Sequence, residues 1–227
     1  MKHYLIIGAS SGIGFELAKR LSHQGHRVTA MSRTAGALTE LLNVTYFPLD
    51  VTLDEAEMPA IETPIDGLIY CPGSILLKPF KGLKAEDFLV DWKLNVMGAI
   101  RVIKQYLPQF ADQSSIVLFS TVAVQTGMSF HSSISAAKGA IEGLTRSLAA
   151  EFAPRIRVNA IAPSLTQTPL AEKLLNSEAK VQASADRHPL KAIGKPEDMA
   201  QAVEFLLQAN WVTGQIITVD GGLSSIR

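Results

Sequence analysis

One seven-residue stretch limits what this chain can fold into more than any other. Tyr4-Leu5-Ile6-Ile7 runs into Gly8-Ala9-Ser10-Ser11-Gly12-Ile13-Gly14, and Phe15-Glu16-Leu17-Ala18-Lys19-Arg20-Leu21 follows. The pattern is that of a short buried strand, a tight glycine turn and an amphipathic helix. Glycines let backbone N–H groups approach a pyrophosphate with no Cβ in the way, and a helix N-terminus adds partial positive charge. The spacing Gly8-xxx-Gly12-x-Gly14 is not the G-x-G-x-x-G of many dinucleotide folds. A strand-to-helix turn that binds nothing is the plainer reading. Three glycines, two serines and these flanks favour dinucleotide binding over it.

The rest of the chain repeats the strand and helix rhythm. Gly25 ends the first helix, and Arg27-Val28-Thr29-Ala30-Met31 is predicted as a second strand with Ser32 and Arg33 at its C-terminal end. In a dinucleotide fold this is where the adenosine ribose lies. An acidic residue there holds a 2′-hydroxyl, and a basic one tolerates a 2′-phosphate. Ser32 followed by Arg33 therefore favours NADP(H) over NAD(H), against the reading of a solvated arginine. After a short segment in which Ala37 to Leu42 is expected to be helical, Val44 to Leu49 is a third strand, delivering Asp50-Val51 to the same edge. Asp50 lies where an adenine would sit, or caps the next turn. Asp66 to Tyr70 is a fourth strand, ending in Cys71-Pro72-Gly73. Cys71 reads as a small hydrophobe near the site rather than a nucleophile.

Lys84 to Phe110 is expected to be helical, broken near Asn95, with Trp92, Leu94, Val96, Ile100, Ile103 and Leu107 as its apolar face. Asn95, four positions after Asp91, suits either a solvent-facing residue or a buried polar group that locally opens the helix. Ser115 to Phe119 is a fifth strand that brings Ser120 and Thr121 to its C-terminal end, where open α/β sheets bind ligands. A long helix through Lys138, Leu148 and Phe152 follows, then a sixth strand over Arg155 to Pro163. Ser164 to Ser184 reads as a lid-like insertion with short helices. A helix starting at Lys195-Pro196 and a last strand within Gly214 to Gly222 complete the chain.

Composition excludes several classes. Lys plus Arg and Asp plus Glu each total 21 in 227 residues, so no net field draws nucleic acid or an anionic membrane. Cys71 is the single cysteine, which rules out an internal disulfide and fits a reducing compartment. The N-terminus enters a strand at once, and no apolar run is long enough for a bilayer. The expectation is one α/β domain over residues 1–227 in a cytoplasmic protein, with no metal site.

Along nearly its full length the chain resembles the short-chain dehydrogenase/reductase family. The resemblance rests on Gly8 to Gly14, Asp50-Val51, Asn95, Lys138 with its helix, Arg157-Val158-Asn159-Ala160-Ile161-Ala162-Pro163, and Val219-Asp220-Gly221-Gly222. It implies a Rossmann-type, doubly wound parallel sheet of about seven strands with helices on both faces. It also implies a nicotinamide cofactor, a small-molecule substrate and a homodimer or homotetramer built on the helices after Asn95 and Lys138. By the same resemblance the cofactor would be held by Gly8, Ser10, Ser11, Gly12, Ile13 and Gly14. Ser32, Arg33, Asp50, Val51, Cys71, Gly73 and Lys138 would continue that site. Pro163, Leu165, Thr166 and Thr168 would lie near the nicotinamide, and Ser164 to His188 would shape the substrate pocket.

The family's chemistry is hydride transfer between nicotinamide and a carbonyl or alcohol. A Tyr moves the proton, a Lys four residues later lowers its pKa, a Ser thirteen residues before it orients the carbonyl, and an Asn helps hold a water relay. A phenol, ordinarily near about 10, needs such a positive neighbour to shuttle protons near neutrality. Here Lys138, Thr121 and Asn95 fall in the Lys, Ser and Asn slots, but the Tyr slot holds Ile134. Tyr106 is the last tyrosine of the chain, so a slipped register does not supply one. Isoleucine cannot carry a proton. His131, three residues earlier, is a substitute if the helix reaches back to it, or a histidine at the site mouth. Ser133 and Lys138 are the other candidates. The family's Asn-Asn-Ala-Gly turn appears as Tyr70-Cys71-Pro72-Gly73, and its Pro-Gly as Pro163-Ser164. Two readings follow: an NADP(H)-dependent oxidoreductase acting on a carbonyl, alcohol or activated alkene by an altered proton path, or a catalytically weak NADP(H)-binding sensor or scaffold.

Overall fold

The computed structural model describes residues 1–226. Seven strands are present: β1 (His3–Ile7), β2 (Arg27–Ser32), β3 (Val44–Pro48), β4 (Ile65–Tyr70), β5 (Phe110–Phe119), β6 (Ile156–Pro163) and β7 (Ile216–Val219). They form one sheet in the order β3-β2-β1-β4-β5-β6-β7, every neighbouring pair parallel. The helices are α1 (Gly12–His23), α2 (Ala85–Trp92), α3 (Gly98–Tyr106), α4 (Ala123–Thr126), α5 (Ser132–Phe152), α6 (Glu178–Asp186) and α7 (Pro196–Gln208). This is the doubly wound Rossmann-type sheet expected from the alternating pattern.

Both faces of the sheet are covered, which is why the strands are nearly continuous apolar runs. Along β1, Leu5 and Ile7 pack with Val96, Ala99, Val102 and Ile103 and with Ile141 and Ala149 of α5. Tyr4 and Ile6 point the other way, to Leu17, Ala18 and Leu21 of α1 and Met199, Val203 and Leu206 of α7. The period of two along a strand distributes one short segment between two cores. The strand order reverses between β1 and β4, and their C-terminal ends open a crevice there. Gly8 N–H donates to Met31 O (2.7 Å) and Cys71 N–H to Ile7 O (3.0 Å), which pins the two loops to that edge.

Some local expectations change. The helical stretch from Lys84 is not continuous: a π-helical turn, Lys93–Met97, separates α2 from α3, and Phe110 already belongs to β5. Trp92 is 42% exposed and so is not part of the buried face, because the extra residue in the π turn rotates the register that a uniform helix would keep. The segment Gly36–Glu40 is a 3-10 turn, and α4 is an additional short helix. The helix carrying Lys138 begins at Ser132, with His131 at its N-cap (φ −100°), so His131 shares no helix face with residue 134.

Candidate functional site

The glycine turn is a matter of space as well as of backbone sign. Gly8 and Gly12 have φ of +77° and +56°, the region that disfavours a side chain. A Cβ on Gly14 would stand 2.3 Å from Gly8 O. Ser11 is the N-cap of α1 but its hydroxyl makes no capping hydrogen bond. The first-turn N–H groups that a helix cannot pair internally are thus left for a ligand. A cavity of about 850 Å³ lies here, lined by Gly8, Ser10, Ser11, Gly12, Ile13, Gly14, Ser32, Arg33, Asp50, Val51, Cys71 and Gly73. Such a bed fits an extended, phosphate-bearing dinucleotide.

At its far end Ser32 is buried and donates to Thr34 O (2.8 Å), which leaves the exposed Arg33 as the charged group there. Asp50 accepts from the Thr52 hydroxyl (2.6 Å) and the Thr52 N–H (2.8 Å). Those two bonds hold its carboxyl below the usual range. Asp50 therefore both shapes its turn and lines the cavity.

A second cavity of about 360 Å³ continues from the first, sharing Ile13, Cys71, Gly73, Thr168 and Leu170 with it. Thr121, Ile134, Lys138, Pro163, Leu165, Thr166 and Thr168 line it, with His131 at its side. The fold thus gathers residues far apart in the sequence around one crevice. His131 is tied to its own loop, its Nδ1 lying 2.8 Å from Ser129 O. Thr121 accepts the Ala123 N–H (3.3 Å), so its hydroxyl proton is free to be donated.

Lys138 is 8% exposed and takes part in none of the ion pairs among the described residues. Burial lowers its ammonium to about 8; nearby Cys71 and Asp91 oppose that shift only in part. Burial pushes the Cys71 thiol up to about 12, which keeps it neutral and makes it the small hydrophobe the sequence suggests. A Cβ on Gly73 would lie 3.7 Å from both Lys138 Nζ and Asn95 Oδ1, so both groups stand just behind the point where the cavities meet.

Asn95 is 1% exposed and lines neither cavity. Its Nδ2 donates to Asp91 O (2.8 Å) and Ser74 Oγ (3.0 Å), while its Oδ1 is buried with no partner. Asn95 lies within the π turn, Lys93–Met97, that separates α2 from α3. Sequence reasoning missed the group around it. Asp91, also buried, accepts from Ser74 Oγ (2.6 Å) and Ser133 Oγ (2.5 Å), joining α2, the β4 loop and α5. The signal available was an acidic residue at a helix position otherwise facing the core.

Ser164 and His188 also line the smaller cavity. His188 is 3% exposed; its Nδ1 lies 2.8 Å from Ser184 O and its Nε2 2.8 Å from Ser164 Oγ. The insertion Ser164 to Ser184 contributes a 3-10 segment, Pro169–Leu174, and part of α6, so it does cover the crevice. Among the described residues no cluster of His, Cys, Asp and Glu is arranged to hold a metal ion, and no helix is long and apolar enough to cross a membrane.

A family described as Enoyl-(Acyl carrier protein) reductase matches residues 8–224. L-xylulose reductase of Bos taurus is 32% identical over 96% of this chain and 94% of its own length. A short chain dehydrogenase family protein from Francisella tularensis superposes with a TM-score of 0.91 at 25% identity, covering 99% of both chains. ElxO with NADP bound superposes at 0.87 and 26% identity, again over 99% of each.

Proposed function

The chain belongs to the short-chain dehydrogenase/reductase family, and from that premise we propose an NADP(H)-dependent oxidoreductase acting on a small carbonyl, alcohol or activated alkene by a proton path that lacks the usual tyrosine. A bound nicotinamide dinucleotide supplies or takes up the hydride. The observation that carries the reading is the uncapped glycine turn opening, through Gly73, onto the buried Lys138. A buried ammonium that no protein carboxylate pairs with directly calls for an electron-rich partner from a ligand.

Gly8 to Gly14, Asp50, Val51, Cys71 and Gly73 would hold the dinucleotide, with Leu165, Thr166 and Thr168 at its reactive end. The preference for NADP(H) rests on Ser32 and Arg33: neither position carries a carboxylate to repel a 2′-phosphate, and Arg33 attracts one. Thr121 donates its hydroxyl to the substrate oxygen, and Lys138 lends positive charge to the oxyanion that develops there. Ile134 is a buried apolar wall beside them. Leu170, Leu174, Met128 and Leu77 give the pocket apolar surface, which suits a carbonyl compound with an apolar body. Assembly as a homodimer or homotetramer belongs to the same proposal.

The test is NADPH consumption against a panel of carbonyl and enone substrates, run beside Ile134→Tyr and Lys138→Ala. Turnover that Lys138→Ala abolishes even at saturating NADPH supports the proposal. Tight NADPH binding with no turnover of any substrate overturns it in favour of a nucleotide-binding sensor or scaffold.

A further inference from the structure

We infer that Ser164 and His188 form the proton relay of this site, doing from the β6 loop and the end of the lid what a tyrosine on α5 would otherwise do. The inference rests on the oxidoreductase reading above and adds two residues to it.

The tautomer of His188 follows from its partners. A carbonyl oxygen only accepts, so the Nδ1 facing Ser184 O at 2.8 Å carries a proton. In the neutral ring Nε2 then has a lone pair, and Ser164 Oγ–H donates to it across 2.8 Å. This is a hydroxyl coupled to an oriented imidazole, both lining the cavity that holds Thr121 and Lys138. Histidine is the side chain whose charge ordinarily changes near neutral pH. Thr121, Ser120 and Ser164 are hydroxyls without that property; His131 lines the same cavity with its Nδ1 held by Ser129 O, but no hydroxyl among the described residues partners its Nε2 as Ser164 partners that of His188.

A ring so used needs its charge tolerated. The segment it stands on carries Arg187, Asp186 and Lys191, the last donating to Asp186 O (2.9 Å). From beyond β7 comes Asp220. Burial pushes the Asp220 carboxyl up, but hydrogen bonds from Ser224 and Gly222 and the charge of His188 outweigh it and hold it below the usual range. An ionised Asp220 steadies an imidazolium at His188.

In the reductive direction, a carbonyl carbon that has gained a hydride leaves its oxygen as an alkoxide short of one proton. Ser164 Oγ–H breaks as the substrate O–H forms. With Nε2 first protonated from solvent water, so that the imidazolium donates to Ser164 Oγ, Ser164 Oγ takes that Nε2 proton in the same motion, and His188 ends neutral with Nδ1–H in place. Oxidation runs the same transfers backwards. Reduction therefore slows as pH rises and alcohol oxidation speeds up, because the first needs the imidazolium and the second the neutral ring.

The experiment compares wild type, His188→Gln and Ser164→Ala by kcat and KM across pH in both directions, with NADPH and NADP+. The expected result is a fall in kcat of about 10²-fold in both variants, at similar KM, with the opposed pH profiles flattened in His188→Gln. A loss confined to KM assigns the pair to lid packing and overturns the relay. An unchanged kcat and profile in His188→Gln does the same while leaving the oxidoreductase reading intact. Absence of turnover in the wild type removes that reading and the relay with it. A second readout needs no nucleotide: 15N shifts of the imidazole in the free protein should show Nδ1 protonated and Nε2 bare at neutral pH, with Nε2 moving in Ser164→Ala. A proton on Nε2 instead overturns the assignment.

Discussion

Replacing Lys138 by Met should make the nucleotide-free protein more stable at neutral pH, and the excess should vanish in alkali. In water this lysine would titrate near 10.5; in the fold, burial brings it to about 8. The side chain is 8% exposed, so solvent screens little of the effect. A difference of that size corresponds to about 3 kcal/mol of lost ammonium solvation at pH 7. The unfolded chain holds the proton up to its own higher value and the native state releases it at about 8. Between these two values the unfolded state binds more protons, and wild-type stability rises with pH. By pH 10 the penalty has fallen to about 1 kcal/mol. Methionine fills a similar volume and has no proton to lose. Urea unfolding of both proteins at pH 7 and 10 measures the gap and its shrinkage. Equal stability at pH 7, or a gap that does not change with pH, refutes the claim that the ammonium is held without a partner. Saturating NADPH at pH 7 should stabilise wild type more than the variant, because only the wild type gains a counterpart for its charge.

Other parts of the structure give sharper single outcomes. Gly14→Ala drives a Cβ against Gly8 O, so calorimetry should register at least a tenfold loss of NADPH affinity; undiminished binding means the turn does not touch the nucleotide. Arg33→Glu should invert the preference between NADPH and NADH by an order of magnitude or more in kcat/KM, and an unmoved ratio places the 2′-phosphate elsewhere. Arg157 donates to Leu206 O (2.6 Å) and Leu207 O (3.0 Å) at the end of α7. Arg157→Met leaves Leu207 O without its partner and Leu206 O with only the Ser115 hydroxyl (3.2 Å), and should cost about 1–3 kcal/mol in chemical denaturation, with activity per folded molecule unchanged.

The sheet was readable because its causes are local. Most strands are short apolar runs with Gly, Pro or Asp near an end, and the longer helices repeat their apolar residues at helical spacing, so the order of elements along the chain follows from neighbours in the sequence, while the early start of β5 and the short α4 do not. The interruption near Asn95 was legible too, since a buried amide in a helix needs an opening to satisfy it. The misplacement of Trp92 is the same fact seen from outside: a single inserted residue turns every later side chain, and no periodicity analysis assigns where the insertion falls. Nor did position reveal Asp91. Its partners Ser74 and Ser133 come from loops and helices 17 and 42 residues away.

Taken alone, the amino-acid order determined the architecture and which residues reach the C-terminal edge of the sheet, because strand, turn and helix propensities act between residues a few bonds apart. It also determined that position 134 carries no acid. Which groups meet at that edge was decided only by folding. Ser164 and His188 are 24 residues apart and become partners only when the chain after β6 folds back on itself. Lys138 acquires its unusual titration from the burial that packing imposes. Hydrogen bonding and desolvation depend on distances in space, and those distances do not exist until the chain is folded.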